Sequence, residues 1–442
     1  MGVSEAIEVP EVSVKYDVSA CDPDVPPGYK QTEVGVIPED WGCVSVRDAA
    51  TASANAIVGG PFGSDLVSSD YSVSGVPVIR GQNMSARLVS GDFVFVTELK
   101  AKSLSANLAY PEDLIFTQRG TLGQVSIVPN AEYKCYLISQ SQMKVSLNRT
   151  CQDPCFVLQY FASSAGQKQI TASAIQTGVP HTNLGILRAY RFPSPPIFEQ
   201  RAISTALSDM DALLDCLDRL IAKKRNLKQA AMQQLLTGQT RLPGFEGEWD
   251  VRQLGEEAIF LKGKGLPKTA LDSHGTELCV HYGELFTQYS EEINSTLSRT
   301  RNSPDHFRSI ANDVLMPTSD VTPRGLAKAS CVMQDRVVLG GDILVIRLSP
   351  ERVNGIFLSY VIRSEAAQVL SLVTGTTVFH LYGSDMKKFI FPIPPLEEQI
   401  AIVKVLSDIG AEIEVLEQRR NKTRDLKQAM MQELLTGRTR LI

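Results

Sequence analysis

The chain has 442 residues, a length that calls for two or more hydrophobic cores. Its 43% hydrophobic and 21% charged content excludes an intrinsically disordered chain, and no apolar run approaches the ~18 residues a membrane-spanning helix needs. The net charge of −5 is unevenly placed: residues 1–50 carry ten acids against three bases, which leaves +2 on the other 392, so a basic surface elsewhere is compatible with the total.

In chain order, residues 1–27 read as an acidic arm rich in Pro, Asp and Val. It lacks the basic start and apolar stretch of a signal peptide, and eight scattered cysteines suit reduced thiols, so a cytoplasmic protein is expected. Cys151 and Cys155 form a close pair, but no second pair follows at a zinc-ligand distance, and ordinary thiols are expected there. Residues 28–191 read as a mixed α/β unit, with strand-like runs at Gly75–Arg80, Phe93–Thr97, Leu114–Thr117 and Gln124–Val128, then a helix around Phe156–Ile170. Residues 192–242 read as one long helix entered at Pro195-Pro196 and stopped by Gly238, with Glu199 at the positive end of its dipole. A second mixed α/β unit spans 243–390, with a strand run at 337–348 and a helix around Phe357–Leu372. Residues 391–442 then repeat the long helix, from Pro394-Pro395 with Glu397 and Glu398 to Gly437.

The repeat organises the chain. Residues 192–242 and 391–441 align without a gap at an offset of 199, with 28 of 51 positions identical, so the chain is a head-to-tail duplication. Apolar residues step 4-3-4-3 along each helix, as Ile203, Leu207, Met210, Leu214, Leu217 and Ile221, and as Ile402, Leu406, Ile409, Ile413 and Leu416. That spacing predicts an a/d seam on helices of about 39 residues, roughly 58 Å long. Separate burial of each helix in its own domain is the alternative, but the outer faces are crowded with Arg and Lys. An antiparallel intrachain pair is the economical arrangement. Between the helices the two globular units match in size and differ in sequence, as two recognition heads on a common mount would. The paired His181 and His380 read as local turn structure.

On these residues the chain resembles the specificity subunits of type I restriction–modification enzymes. The resemblance rests on GYKQTEVGVIPEDW (Gly28–Trp41), on PPxxEQ opening each helix (Pro195–Gln200, Pro394–Gln399), and on LKQAxMQxLLTGxTRL closing each. Within the heads it rests on Gly75–Met84, Asp113–Pro129 and His281–Tyr289. It implies two target-recognition domains separated by two long antiparallel coiled-coil helices, a pseudo-twofold internal repeat. It implies double-stranded DNA as ligand and two N6-adenine methyltransferase (modification) subunits as partners, which two restriction subunits can join. S-adenosylmethionine, ATP and Mg would act on those partners, with no cofactor, metal or catalytic residue on this chain. The residues agree: no D/N/S-P-P-aromatic motif, nucleotide-binding P-loop or metal-ligand cluster is present.

Candidate DNA-binding residues follow from the chemistry of base edges and phosphates, which Arg, Lys, Asn and Gln engage. They are Arg80, Gln82, Asn83, Lys100, Lys102, Gln118 and Arg119 in the first unit, and Lys262, Lys264, Lys268, Arg299, Arg301 and Arg324 in the second. Arg80 and Arg119 suit fold support or phosphate contact better than base reading, since heads of different specificity share those phrases. Two unlike heads predict an asymmetric bipartite site, with half-site centres about 10 bp apart if both read one DNA face, and a gap of roughly 6 bp. Lys228, Gln229 and Gln233, with their copies Lys427, Gln428 and Gln432, are candidate partner-binding residues on the helices. A coiled-coil scaffold whose heads bind protein, and an orphan specificity subunit, are the competing readings.

Overall fold

The computed structural model describes residues 25–442, apart from 131–132, 177 and 302–304, so the acidic arm lies almost wholly outside the described residues. Contacts divide the chain into two compact units, one of residues up to 215 together with 421–442, the other of residues 216–420. No described helix is long and apolar enough to cross a membrane.

The first unit is built on strands β1 (Ile57–Gly59), β2 (Val76–Ile79), β3 (Leu114–Thr117), β4 (Val125–Ile127), β5 (Tyr136–Ile138) and β6 (Gln142–Val145). An antiparallel sheet runs β4–β3–β6–β1, with Leu114 opposite Val145 and Phe116 opposite Met143. β3 and β6 are buried along their whole length, as central strands covered on both faces must be. A second sheet is centred on the parallel pair β2 and β5, with Val78 opposite Leu137. Helix α1 (Pro154–Ala162) starts at Asp153, whose carboxylate accepts the Phe156 N–H, with Pro154 in the first turn where its missing N–H costs nothing. Its Phe161 packs edge-on against Phe116 of β3, ring centroids 5.2 Å apart.

The second unit repeats the plan with β7 (Ala258–Lys262), β8 (Glu277–Val280), β9 (Asp313–Pro317), β10 (Ser330–Val332), β11 (Val338–Leu339) and β12 (Ile343–Leu348). Its main sheet contains the antiparallel run β10–β9–β12–β7, with Val314 opposite Ile346 and a short parallel edge strand, Glu292–Ile293, on β10; β8 and β11 form the second parallel pair. Asn354 caps the equivalent helix α3 (Gly355–Ser364). Two diverged sequences therefore fold onto one topology, because both keep buried central strands and an Asx-capped helix at matching positions.

The long helices are α2 (Ile197–Leu235) and α4 (Leu396–Leu434), 39 residues each. Each exit carries a glycine in the left-handed region, Gly238 at φ 71° and Gly437 at φ 72°, where a side chain would be strained. In the first unit, Ile203 and Leu207 near the start of α2 share a core with Leu434 and Leu435 at the end of α4. In the second, Ile402 and Leu406 share a core with Met232, Leu235 and Leu236. There Asp218 meets Arg420, Lys224 meets Glu412, and Lys228 passes Gly410, so the two segments run in opposite directions. One expectation needs correction. Ile203, Leu207, Ile402 and Leu406 do not form a seam of helix against helix alone, because each helix's first turns also lie on its head and are buried in the head's core. Leu217 and Ile221 are buried, and Met210, Leu214, Ile409, Ile413 and Leu416 are half-buried.

Candidate nucleic-acid interface

Both helix entrances are built around buried Glu-Gln pairs that receive residues far away in sequence. Glu199 and Gln200 are fully buried, as are Glu398 and Gln399. The Glu199 carboxylate accepts from Trp41 Nε1 at 3.1 Å and from Arg440 Nε at 2.6 Å, and Glu398 accepts from Trp249 Nε1 at 3.0 Å and Arg241 Nε at 2.6 Å. Each arginine also lies over its tryptophan ring, at 5.5 Å and 5.2 Å from the centroids. Gln200 donates to the carbonyls of Cys151 and Pro195 and accepts the Asp153 N–H; Gln399 does the same with Arg352, Pro394 and Asn354. The glutamine thus fixes the start of α1 or α3, and the glutamate clamps the exit of one long helix to the entrance of the other. Fully satisfied, such buried polar groups specify one arrangement.

These mounts hold heads whose loops converge at one edge by the same backbone hydrogen bonds. In the first unit Gly60 N–H donates to Gln142, Gln118 to Ser141, and Thr182 to Gln118; in the second Gly263 donates to Ile343, Thr318 to Asp342, and Leu381 to Thr318. A Cβ at Gly60 would collide with the Ser139 carbonyl, and one at Gly263 with the Gly340 carbonyl, so both positions require glycine for close approach rather than for a special φ. A further loop closes onto this edge in each head, through paired backbone bonds between Ile175 and His181 and between Thr374 and His380. The histidines close turns, as the sequence suggested.

The edge gathers only part of the candidate set. Gln118 and Arg119 reach it in the first unit, with Arg119 exposed and bridged to His181, and Arg80 stands beside it at the end of β2. Lys262 and Lys264 reach it in the second, both exposed, whereas Arg324, also exposed, lines the cleft beside α2 with Arg225 and Lys228. Leu266, at φ 67°, anchors the Lys262–Lys268 loop by burying its side chain against Cys279 and Val338. Lys268 lies further along that loop, in the short turn of Lys268–Ala270.

The other candidates are drawn elsewhere. Asn83 is 1% exposed and its amide is spent on Arg80 N–H and on the Ser90 and Asp92 carbonyls, so it holds the loop and cannot reach a base edge. Gln82 is exposed and donates to the Asp92 carbonyl. Lys100 pairs with Asp70 at 3.1 Å, and Lys102 shares its short helix, Glu98–Ser103. Arg299 donates to the Gly275 carbonyl, and Arg301 pairs with Asp272, whose carboxyl is held below its usual range by the His274 N–H and then by Arg301.

Sequence reasoning missed Phe62, an 88% exposed ring on the loop that leaves β1 toward this edge. Gln140 braces that loop by donating to the carbonyls of Gly63 and Leu66. The available signal was an aromatic residue flanked by glycines in Gly59–Gly63.

The helices present a second repeated surface. Arg424, Lys427, Gln428 and Met431 line a cleft of about 490 Å³ against Ser163–Ala165, and Arg225, Lys228, Gln229 and Met232 line one of about 630 Å³ against Ala366, Ala367 and Leu370. Gln432 also lines the first cleft, whereas Gln233 is exposed outside the second. Lys228 and Lys427 are not free, as a partner surface would want: Lys427 pairs with Asp211 at 2.6 Å and Lys228 with Glu291 at 3.3 Å. No cluster of three or more His, Cys, Asp or Glu placed to hold a metal occurs among the described residues.

A family model described as the type I restriction modification DNA specificity domain matches residues 61–223 and 315–423, well over half of the chain. The chain belongs to this specificity family. The specificity subunit named for the MjaX type I restriction enzyme of Methanocaldococcus jannaschii is 23% identical over 432 residues, covering 93% of this chain and 97% of its own. The MjaVIII specificity subunit of the same organism is 21% identical over 322 residues, covering 69% of this chain and 75% of its own. In fold, the crystal structure of the S subunit from M. genitalium superposes with a TM-score of 0.59 at 14% identity, covering 89% of this chain and 96% of the other. A chain from a study of type I restriction–modification complex assembly gives 0.53 at 17% identity, covering 91% and 99%. A type I specificity subunit acts with DNA and with other subunits of its system.

Proposed function

We propose that the two heads read the two halves of an asymmetric, bipartite DNA site through the major groove, and that the helix pair is an antiparallel coiled-coil spacer that fixes their separation. The observation that carries this reading is the loop edge built twice on identical backbone bonds and furnished with different side chains. A common frame with unlike contents is what two addresses of one design require. The first edge offers Arg119, Gln118 and the exposed Phe62; the second offers Lys262 and Lys264. Amide and guanidinium groups read bases by paired hydrogen bonds, apolar groups meet thymine methyls, and lysines hold phosphates.

The basic clefts beside the helices occur twice, so they suit one partner present in two copies. In this reading the partners are the modification subunits, which methylate adenine at N6 with S-adenosylmethionine, and any restriction subunits bring ATP and Mg. The specificity subunit itself contributes no catalytic group. The test is a map of N6-methyladenine in a host with and without this gene. Loss of a single asymmetric, gapped motif methylated on both strands is the expected result. An unchanged map, from a chain that co-purifies with an active methyltransferase, would overturn the reading.

A further inference from the structure

We infer that Asp211 and Glu291 are positioning residues that set the angle of each head on the long helices, and so the half-site separation the protein accepts. The inference rests on the reading of the heads as DNA readers. In the first unit Asp211 of α2, 17% exposed, receives donors from three different elements. Arg87 Nη1 reaches it at 2.7 Å from a head loop, Gln159 Nε2 at 2.9 Å from α1, and Lys427 Nζ at 2.6 Å from α4. Arg87 also donates to Ser208 on α2 at 3.1 Å. Its loop is itself fastened to the sheet, since the Arg87 carbonyl accepts the Ile127 N–H of β4 and the Ala86 carbonyl accepts the Ser126 hydroxyl. One carboxylate therefore ties the head's sheet, its helix and both long helices together.

The duplication breaks at this point. The counterpart of Asp211, 199 residues on, is Gly410, so Lys228, counterpart of Lys427, meets no carboxylate there. It turns instead to Glu291 of the head at 3.3 Å and stands 5.1 Å from the Tyr360 ring of α3. Glu291 lies 4.0 Å from Arg363, and its carbonyl accepts the Cys331 N–H of β10. The same ammonium is thus used in both units, but its carboxylate sits on the helix in one and on the head in the other. Helix pairing alone explains neither, because Asp211 also receives Arg87 and Gln159 of its head, and the Lys228–Glu291 contact itself runs from helix to head. The bonds at Asp211 are short, charge-assisted and directional, and the longer Lys228–Glu291 contact is equally sheltered, which suits both to fixing an angle. The angle matters because one base pair added to a gap both lengthens the DNA and turns it by roughly 34–36°.

The experiment uses the complex with its modification subunits and duplexes carrying both half-sites at the preferred gap and at one base pair shorter and longer. Asp211→Asn and Glu291→Gln should each lower discrimination between gap lengths by about tenfold, a factor carried by 1.4 kcal/mol, with the half-site sequences unchanged. The double variant E291Q/G410D separates positioning from simple stability. A Cβ at 410 would stand 3.5 Å from Lys228 Nζ, so the new carboxylate can return a partner to the ammonium while the head stays untied. Thermal stability should recover and gap discrimination should stay relaxed. Wild-type discrimination in both single variants, or its return together with stability in the double variant, would overturn the inference. A wild-type complex indifferent to both half-sites would overturn the reading of the heads themselves.

Discussion

Arg440 grips Glu199 from 241 positions away in sequence, Nε to Oε1 at 2.6 Å and Nη2 to Oε2 at 2.9 Å. Its other face holds Asp40 at 2.8 and 2.9 Å. Because Glu199 is fully buried, Arg440→Ala would strand a carboxylate without its counter-charge. The expected loss is about 3–5 kcal/mol, read by urea denaturation, and Arg241→Ala should destabilise in the same direction through Glu398. A change below about 1 kcal/mol, the scale of an exposed pair, would refute the clamp.

The same arginine predicts an acid limb. Its hydrogen bonds hold the Asp40 carboxyl below the usual carboxylate range. A depressed folded value means that this contribution is complete above the unfolded value of about 4 and is lost as pH falls through the folded one. Thermal melts between pH 6 and 2 should show this limb shrink in Asp40→Asn. An identical acid profile would argue against it.

Gly60→Ala and Gly263→Ala should each cripple one loop edge and spare the other, since the added methyl meets a backbone carbonyl rather than a yielding side chain. In binding assays with one half-site scrambled at a time, G60A should lose recognition of one half and G263A of the other. Equal loss of both halves in either variant would contradict the modular reading.

Lys264 and Phe62 should separate affinity from specificity. Removing a phosphate contact flattens the salt dependence by about one unit of slope, so Lys264→Ala should bind more weakly to every sequence with a shallower slope. Phe62→Ala should keep the slope and relax discrimination within one half-site. Replacing thymines by uracil in that half-site should then affect wild type and leave the variant unchanged. The opposite assignment of slope and specificity would exchange their roles.

The spacer reading predicts that adding four residues near Leu235-Leu236 and Leu434-Leu435 lengthens each helix by about 6 Å and widens the gap in the methylated motif. Methylation mapping would check that both half-sites stay the same.

Much of this was legible in the sequence. The long helices announced themselves because proline entrances, left-handed glycine exits and a 3.5-residue apolar step are local features that need no knowledge of the fold. The strands at Leu114–Thr117 and Val125–Ile127 were readable for the same reason. What could not be read was where a side chain spends its hydrogen bonds. Asn83 looks like a base-reading amide, yet three backbone partners within ten residues consume it. Lys228 and Lys427 look like equivalent solvent-facing charges, yet Asp211 in one unit and Glu291 in the other claim them. The tie at Glu291 depends on a glycine at 410 that leaves a gap in charge, and no periodicity reports an absence. Phe62 escaped because a lone apolar residue among glycines reads as a loop until its exposure is known.

Tyr29 donates its hydroxyl to the carbonyl of Gly437 at 3.0 Å, and a Cβ on Gly437 would touch Trp41 at 3.1 Å. The first motif of the described chain therefore rests on its last. The same joint appears mid-sequence, where Gly238 lies under Trp249 and the covalent chain runs straight through. The same joint therefore closes each unit, once with the chain continuous through it and once between residues 408 positions apart in sequence. Each joint holds its own glutamate, tryptophan and arginine, so neither lock depends on whether the backbone is continuous through it. A head can therefore change its contents while the lock beneath it stays the same, which is how one mount comes to carry two unlike addresses.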